Sequence, residues 1–221
     1  MLPTRTVLLL GATGLVGRHL LKGLLADDSC GRVVTLTRSP VKGVSDCAKW
    51  DARIVDFERA DEWRDHIATD QVICALGTTM KKAGSRQAFR RVDFDYPLTV
   101  AQAARNLGCR HFLLVSAMGA NPRSRIFYNR VKGELEAALL TLEFDSVTIF
   151  RPSLLLGDRS EFRLGEAVGQ RLGQWFGFAI PNACRPVPAR SVAAAMLQIA
   201  ARNPTGNRIV TSTEIADIVS V

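Results

Sequence analysis

The sequence predicts an α/β fold of the doubly wound class: a Rossmann-like parallel sheet with helices on both faces and a small C-terminal cap. Three observations carry this. Short apolar runs alternate with stretches of helical periodicity along residues 1–157. The connections between successive runs are long enough for crossovers. A glycine-rich turn stands where the first apolar run hands over to the first helix.

Residues 5–10 form a continuous apolar run bounded by Gly11, as expected of a strand buried on both faces. From residue 15 to 26, Val16, Leu20, Leu21, Leu24 and Leu25 recur at helical spacing, with Arg18, His19 and Lys22 on other sides. Further strands are expected at residues 32–38, 52–57, 71–77, 111–116 and 147–156, with helices at 93–107 and 128–142. Beyond Gly157 the pattern loosens. Residues 161–175 and 191–202 read as helices, 181–188 as a loop and 208–211 as a short strand. Residues 1–157 are thus a nucleotide-binding core. Residues 158–221 are too few for an independent domain, and form a cap and a final strand and helix completing the same one.

The 221 residues are 47% apolar and 23% charged, values of an ordinary globular protein that exclude a disordered or fibrous chain. The five cysteines are odd in number and contain no C-x-x-C pair, which excludes a disulfide framework and a zinc site; no metal is expected. A reducing compartment fits, and no apolar run reaches the ~18 residues of a membrane helix. The expectation is therefore a cytoplasmic protein without a membrane partner. Twenty-nine basic against 21 acidic residues give a net charge of +8 and a pI near 9.7, which raises the question of an anionic partner. The densest basic run is Lys81, Lys82, Arg86, Arg90 and Arg91. It lacks interleaved aromatics and matches no DNA-binding spacing, so it reads as a solvated or phosphate-facing loop and nucleic acid is not the expected partner.

The chemistry concentrates in two motifs. Gly11-Ala12-Thr13-Gly14-Leu15-Val16-Gly17 supplies tight-turn glycines, a bare backbone and a helix N-terminus whose free N–H groups favour a pyrophosphate. The end of the second strand, Thr35-Leu36-Thr37-Arg38, offers no acid for a ribose 2′-OH; Arg38 and Arg18 are instead suited to clamp a 2′-phosphate, which favours NADP(H) over NAD. By position in the fold, Asp56 and Phe57 are placed to meet the adenine, and Leu76 and Gly77 to let the cofactor pass closely. The second motif is Tyr128 and Lys132, four apart and so on one helical face. A tyrosine is a poor acid or base at neutral pH, and a neighbouring ammonium stabilises its phenolate and can also hold the cofactor ribose. Ser116, 12 residues earlier, is the third candidate, as a hydroxyl that orients a substrate carbonyl.

Taken together, these features resemble the short-chain dehydrogenase/reductase superfamily. More closely, the chain resembles its atypical, epimerase/dehydratase-like branch typified by the Tat-interacting-protein oxidoreductase family. The resemblance is carried by residues 11–18, 55–58, 74–79, 89–96, 110–116, 127–136, 150–159 and 187–193 in this order. It implies an NAD(P)-binding fold with Tyr128 and Lys132 at the catalytic positions, and it leaves the substrate unspecified. Two departures stand out. Relatives commonly carry two serines after strand five and use the second, whereas this chain reads Ser116-Ala117; and Asp93 falls near a structural asparagine of the usual tetrad.

The leading expectation is an NADP(H)-dependent oxidoreductase acting on a small carbonyl or alcohol. The alternative is an NADPH-binding regulatory or scaffold protein with little turnover. Apolar residues such as Trp175, Phe176 and Phe178 are expected near the substrate, and analogy with related proteins suggests a homodimer.

Overall fold

The computed structural model describes residues 4–45, 47–156, 185–202 and 204–220. Seven strands form one parallel sheet: β1 (Arg5–Leu10), β2 (Cys30–Thr37), β3 (Trp50–Ile54), β4 (Gln71–Cys74), β5 (His111–Val115), β6 (Ser146–Arg151) and β9 (Arg208–Thr211). Their order is β3-β2-β1-β4-β5-β6-β9, and every neighbouring pair is parallel. The order reverses direction between β1 and β4, so the carboxyl ends of those two strands open a crevice, the place where doubly wound sheets hold ligands. A two-stranded parallel ribbon joins β7 (Leu155–Leu156) to β8 (Val187–Pro188).

Strand periodicity divides the core between the two faces. Val7, Leu9, Ile73, Leu113 and Val210 point to one side, under α1 (Leu15–Ala26), α6 (Ala189–Arg202) and α7 (Ser212–Ser220). Leu8, Leu10, Val72, Leu114 and Ile149 point to the other, under α4 (Tyr96–Asn106) and α5 (Phe127–Leu140). Each fully buried leucine contributes roughly 1.5–3 kcal/mol relative to exposure, and residues on both faces of β1 are buried.

Several boundaries differ from the sequence reading. The third strand ends at Ile54 and the fourth at Cys74, so Asp56, Phe57, Leu76 and Gly77 lie on the loops that follow. The sixth stops at Arg151, before Pro152, which cannot donate to a ladder. The basic run is not a loop: it folds into α2 (Met80–Ala83) and α3 (Arg86–Arg90), capped by the hydroxyls of Thr79 and Ser85. The helix expected to begin at Asp93 opens with a π-helical turn over Arg91–Asp95. There Tyr96 N–H donates to the Arg91 carbonyl, and Pro97 has no N–H to donate four residues back.

The expected helix at 161–175, most of the loop at 181–188, and Trp175, Phe176 and Phe178 lie outside the described residues. Among the described residues no helix is long and apolar enough to cross a membrane, and no cluster of three or more His, Cys, Asp or Glu side chains could hold a metal. Cys30, Cys47, Cys74 and Cys109 are free thiols.

Candidate active site

The crevice starts at the turn after β1. Gly11 adopts φ +80°, and a Cβ on it would stand 2.5 Å from the Ala75 carbonyl oxygen; a Cβ on Gly17 would stand 1.9 Å from that of Gly11. Only bare backbone allows β1, the first turn of α1 and the β4 loop to approach this closely. Helix α1 starts at Gly14 with no side-chain cap and no acid in its first turn. Gly14 N–H is spent on Gly11 and Arg18 N–H on Gly14, while the N–H groups of Leu15, Val16 and Gly17 make no bond with the described residues. Unspent amides at a dipole's positive end, beside exposed Thr13 and Gly14, form a cradle for an anion. A dinucleotide pyrophosphate fits this cradle.

Beside it, a cavity of about 490 Å³ is lined by Leu15, Arg18, His19, Lys22, Leu156 and Arg190, among others. Arg18 and Arg38 are both exposed, and neither pairs with a carboxylate among the described residues. Beyond β3, Asp56 is exposed; its carboxylate accepts the Glu58 N–H at 3.0 Å and its carbonyl accepts the Trp63 indole N–H at 3.0 Å. Phe57 is only 6% exposed and stacked on Tyr96, ring centroids 5.1 Å apart. The Phe57 ring thus packs into the wall of the crevice, beside exposed Asp56. Tyr96 in turn donates to Glu58 at 2.6 Å, and burial followed by that bond pushes its phenol up to about 12.

The opposite wall of the crevice is α5. Tyr128 is half-buried with its ring against Phe89, centroids 5.6 Å apart. One turn on, the Lys132 ammonium is 2.8 Å from the Asp93 carboxylate, with side-chain exposures of only 6% and 1%. The other Asp93 oxygen accepts the Thr78 N–H at 2.8 Å. Burial pulls the Lys132 ammonium down, but the Asp93 charge, aided by Tyr128, outweighs it and holds the group above its ordinary value. Next to this pair is exposed Gly77, where a Cβ would be 3.2 Å from Asp93 Oδ1 and 3.5 Å from Lys132 Nζ. The pair is thus reached from the switch point across a residue without a side chain. Leu76 lies half-buried beside it.

Ser116 follows directly on β5. It is 5% exposed, and its hydroxyl donates to the Glu136 carboxylate. Glu136 also receives Arg151, whose Nε lies 3.1 Å away. This buried Ser116–Glu136–Arg151 chain ties β5, α5 and β6 together and engages the one hydroxyl at this strand end, since the next residue is Ala117. Sequence reasoning missed Glu136 as a partner, although it lies four residues after Lys132 and eight after Tyr128 on the same helical face. It also counted Asp93 only as a departure.

The sequence profile of the NAD(P)H-binding family matches residues 11–203. The chain belongs to the NAD(P)H-binding family. Within it, the chain is an atypical short-chain dehydrogenase/reductase. It is 38% identical to the rat Protein HTATIP2 over 185 residues, covering 80% of this chain and 76% of the relative. It is 34% identical to the mitochondrial Protein FMP52 of Candida albicans over 207 residues, covering 90% and 89%. In solved structures the fold recurs in WbmH of Bordetella bronchiseptica in complex with NAD+ (TM-score 0.73, 17% identity, 94% of this chain and 75% of that one). This family of NAD(P)-binding, oxidoreductase-like folds includes several relatives named mitochondrial, which overturns the cytoplasmic expectation. Free thiols and the lack of long apolar runs fit a mitochondrial relative equally, so those two features never separated the compartments.

Proposed function

We propose that the chain is an NADP(H)-dependent oxidoreductase acting on a small carbonyl or alcohol, in a mitochondrial setting like that of its FMP52 relatives. The observation that carries the reading is Lys132: an ammonium buried beside Tyr128 and reached across Gly77 at the switch point. The cradle formed by Gly11, Thr13, Gly14, Leu15, Val16 and Gly17 binds the pyrophosphate, and Arg18 with Arg38 holds a 2′-phosphate. When bound, the dinucleotide supplies or accepts the hydride. Lys132 donates to the ribose. In the reducing direction Tyr128 would give its phenolic proton to the carbonyl oxygen, which stays bonded to its carbon and becomes the alcohol hydroxyl; in the other direction the phenolate would take that proton back.

Calorimetric titration with NADPH and with NADH tests the cofactor, with tighter NADPH binding expected. A carbonyl panel then tests turnover. Tyr128→Phe is expected to bind NADPH as the parent does and to lose at least about a hundredfold in turnover; undiminished turnover would remove Tyr128 from this role. One observation favours a second reading, an NADPH-binding regulatory protein: Ser116 is spent on Glu136 and Ala117 carries no hydroxyl. Tight NADPH binding with no oxidation by any carbonyl would select it.

A further inference from the structure

We propose that Asp93 is the counter-ion that keeps buried Lys132 a permanent ammonium, so that the site presents a fixed, pH-independent donor towards the cofactor ribose. The ribose clause rests on the reading of Lys132 given above; the counter-ion role does not.

A lone ammonium buried this deeply favours its neutral form, because burial penalises the charge. The groups around Lys132 decide whether something prevents that. From β4 comes the Cys74 thiol, which burial pushes up to about 11 and so keeps uncharged. On α5 itself are Tyr128, one turn before, and Glu136, one turn after, whose carboxylate is already paired with Arg151. From the π-helical turn comes Asp93, the carboxylate in ionic contact with Nζ, 2.8 Å away. Asp93 is itself fixed by the Thr78 N–H on its other oxygen. The contact with Asp93 engages one of the three N–H donors of the Lys132 ammonium and leaves the others for a ligand on the Gly77 side.

The placement of Asp93 follows from the chain. Pro97 removes the backbone donor that would pair with the Asp93 carbonyl in an α-helix, and Asp93 lies buried within the resulting π turn, against Lys132 and the Thr78 N–H. An asparagine at this position could still accept the Thr78 N–H, but could not neutralise an ammonium.

The test is a pH titration of protein carrying 13Cε-labelled lysine, followed by NMR without cofactor. There are only six lysines, and the Lys132 signal is the one lost in Lys132→Arg. In the native protein Lys132 should titrate above the other five. In Asp93→Asn it should fall by about two pH units and titrate below them. A Lys132 signal among or below the others in native protein, or one that does not move in folded Asp93→Asn, would overturn the proposal. The native ordering decides the matter even if the variant does not fold. A second arm follows NADPH affinity by calorimetry from about pH 7.5 to 10, above the titration of the 2′-phosphate. The native protein should show a flat profile, and Asp93→Asn one that weakens at least about tenfold with rising pH. A loss equal at every pH would assign Asp93 to structure alone and overturn its electrostatic role. Absence of dinucleotide binding in both proteins would remove the ribose clause and the proposed function together, and the lysine titration would then decide the counter-ion role by itself.

Discussion

At Lys132, burial and a neighbouring carboxylate pull in opposite directions, and the carboxylate prevails. Truncating one partner therefore costs more than the pair contributes, because the other is left as an uncompensated buried charge. Lys132→Met is expected to lose about 3–5 kcal/mol in urea unfolding, and Asp93→Asn combined with Lys132→Met to recover most of it. A double variant no more stable than Lys132→Met would show that the pair is not coupled. The 2′-phosphate clamp is a second matter of single residues. Arg38→Ala is expected to weaken NADPH at least about tenfold while leaving NADH unchanged, read by calorimetry; equal losses for both nucleotides would refute the clamp. Tyr128 and Lys132 were legible because helical periodicity alone puts residues four apart on one face. Asp93 was not, since it meets Lys132 from 39 residues away in sequence.

The glycine turn works at the scale of one strand and one helix. A Cβ on Gly17 would meet backbone at 1.9 Å, whereas on Gly23 of the same helix it would meet the flexible end of Leu197. Gly17→Ala is thus expected to abolish measurable NADPH binding and lower the Tm by several degrees. Gly23→Ala should bind normally with stability within about 1 kcal/mol of the parent, since a leucine tip can move and helix propensity improves. Strand and helix identities were legible from periodicity, and α1 falls on the residues expected. Boundaries were not: Pro97 and Pro152 altered the hydrogen-bonding ladders locally, and the capping hydroxyls of Thr79 and Ser85 turned an expected loop into two short helices. Ser116 could be placed at a strand end from sequence, but the Glu136 that takes its hydroxyl comes from another element.

Across the molecule, stability should fall on acidification. Asp51 is held below the usual carboxylate range by its bonds to Arg53, joined by Arg32, and Glu214 by the Thr211 N–H, joined by Arg208. A lowered folded-state value means that each carboxylate stabilises the fold above the unfolded-state value, and that this contribution is lost as pH falls through the folded one. Tm is therefore expected to be level near neutrality and to decline below about pH 4. Because these groups are partly exposed, each contributes modestly and salt should flatten the decline; a Tm unchanged between pH 6 and 2 would refute the sign.

The sequence by itself determined the sheet class, the anion cradle and the Tyr128–Lys132 face, because each depends on periods or turns spanning a few residues. Tertiary structure decided which charge faces Lys132, what occupies the Ser116 hydroxyl, and that Phe57 packs into a wall. Those outcomes depend on which distant segments the β1–β4 crossover and the α5 packing bring together, and local patterning does not encode such contacts.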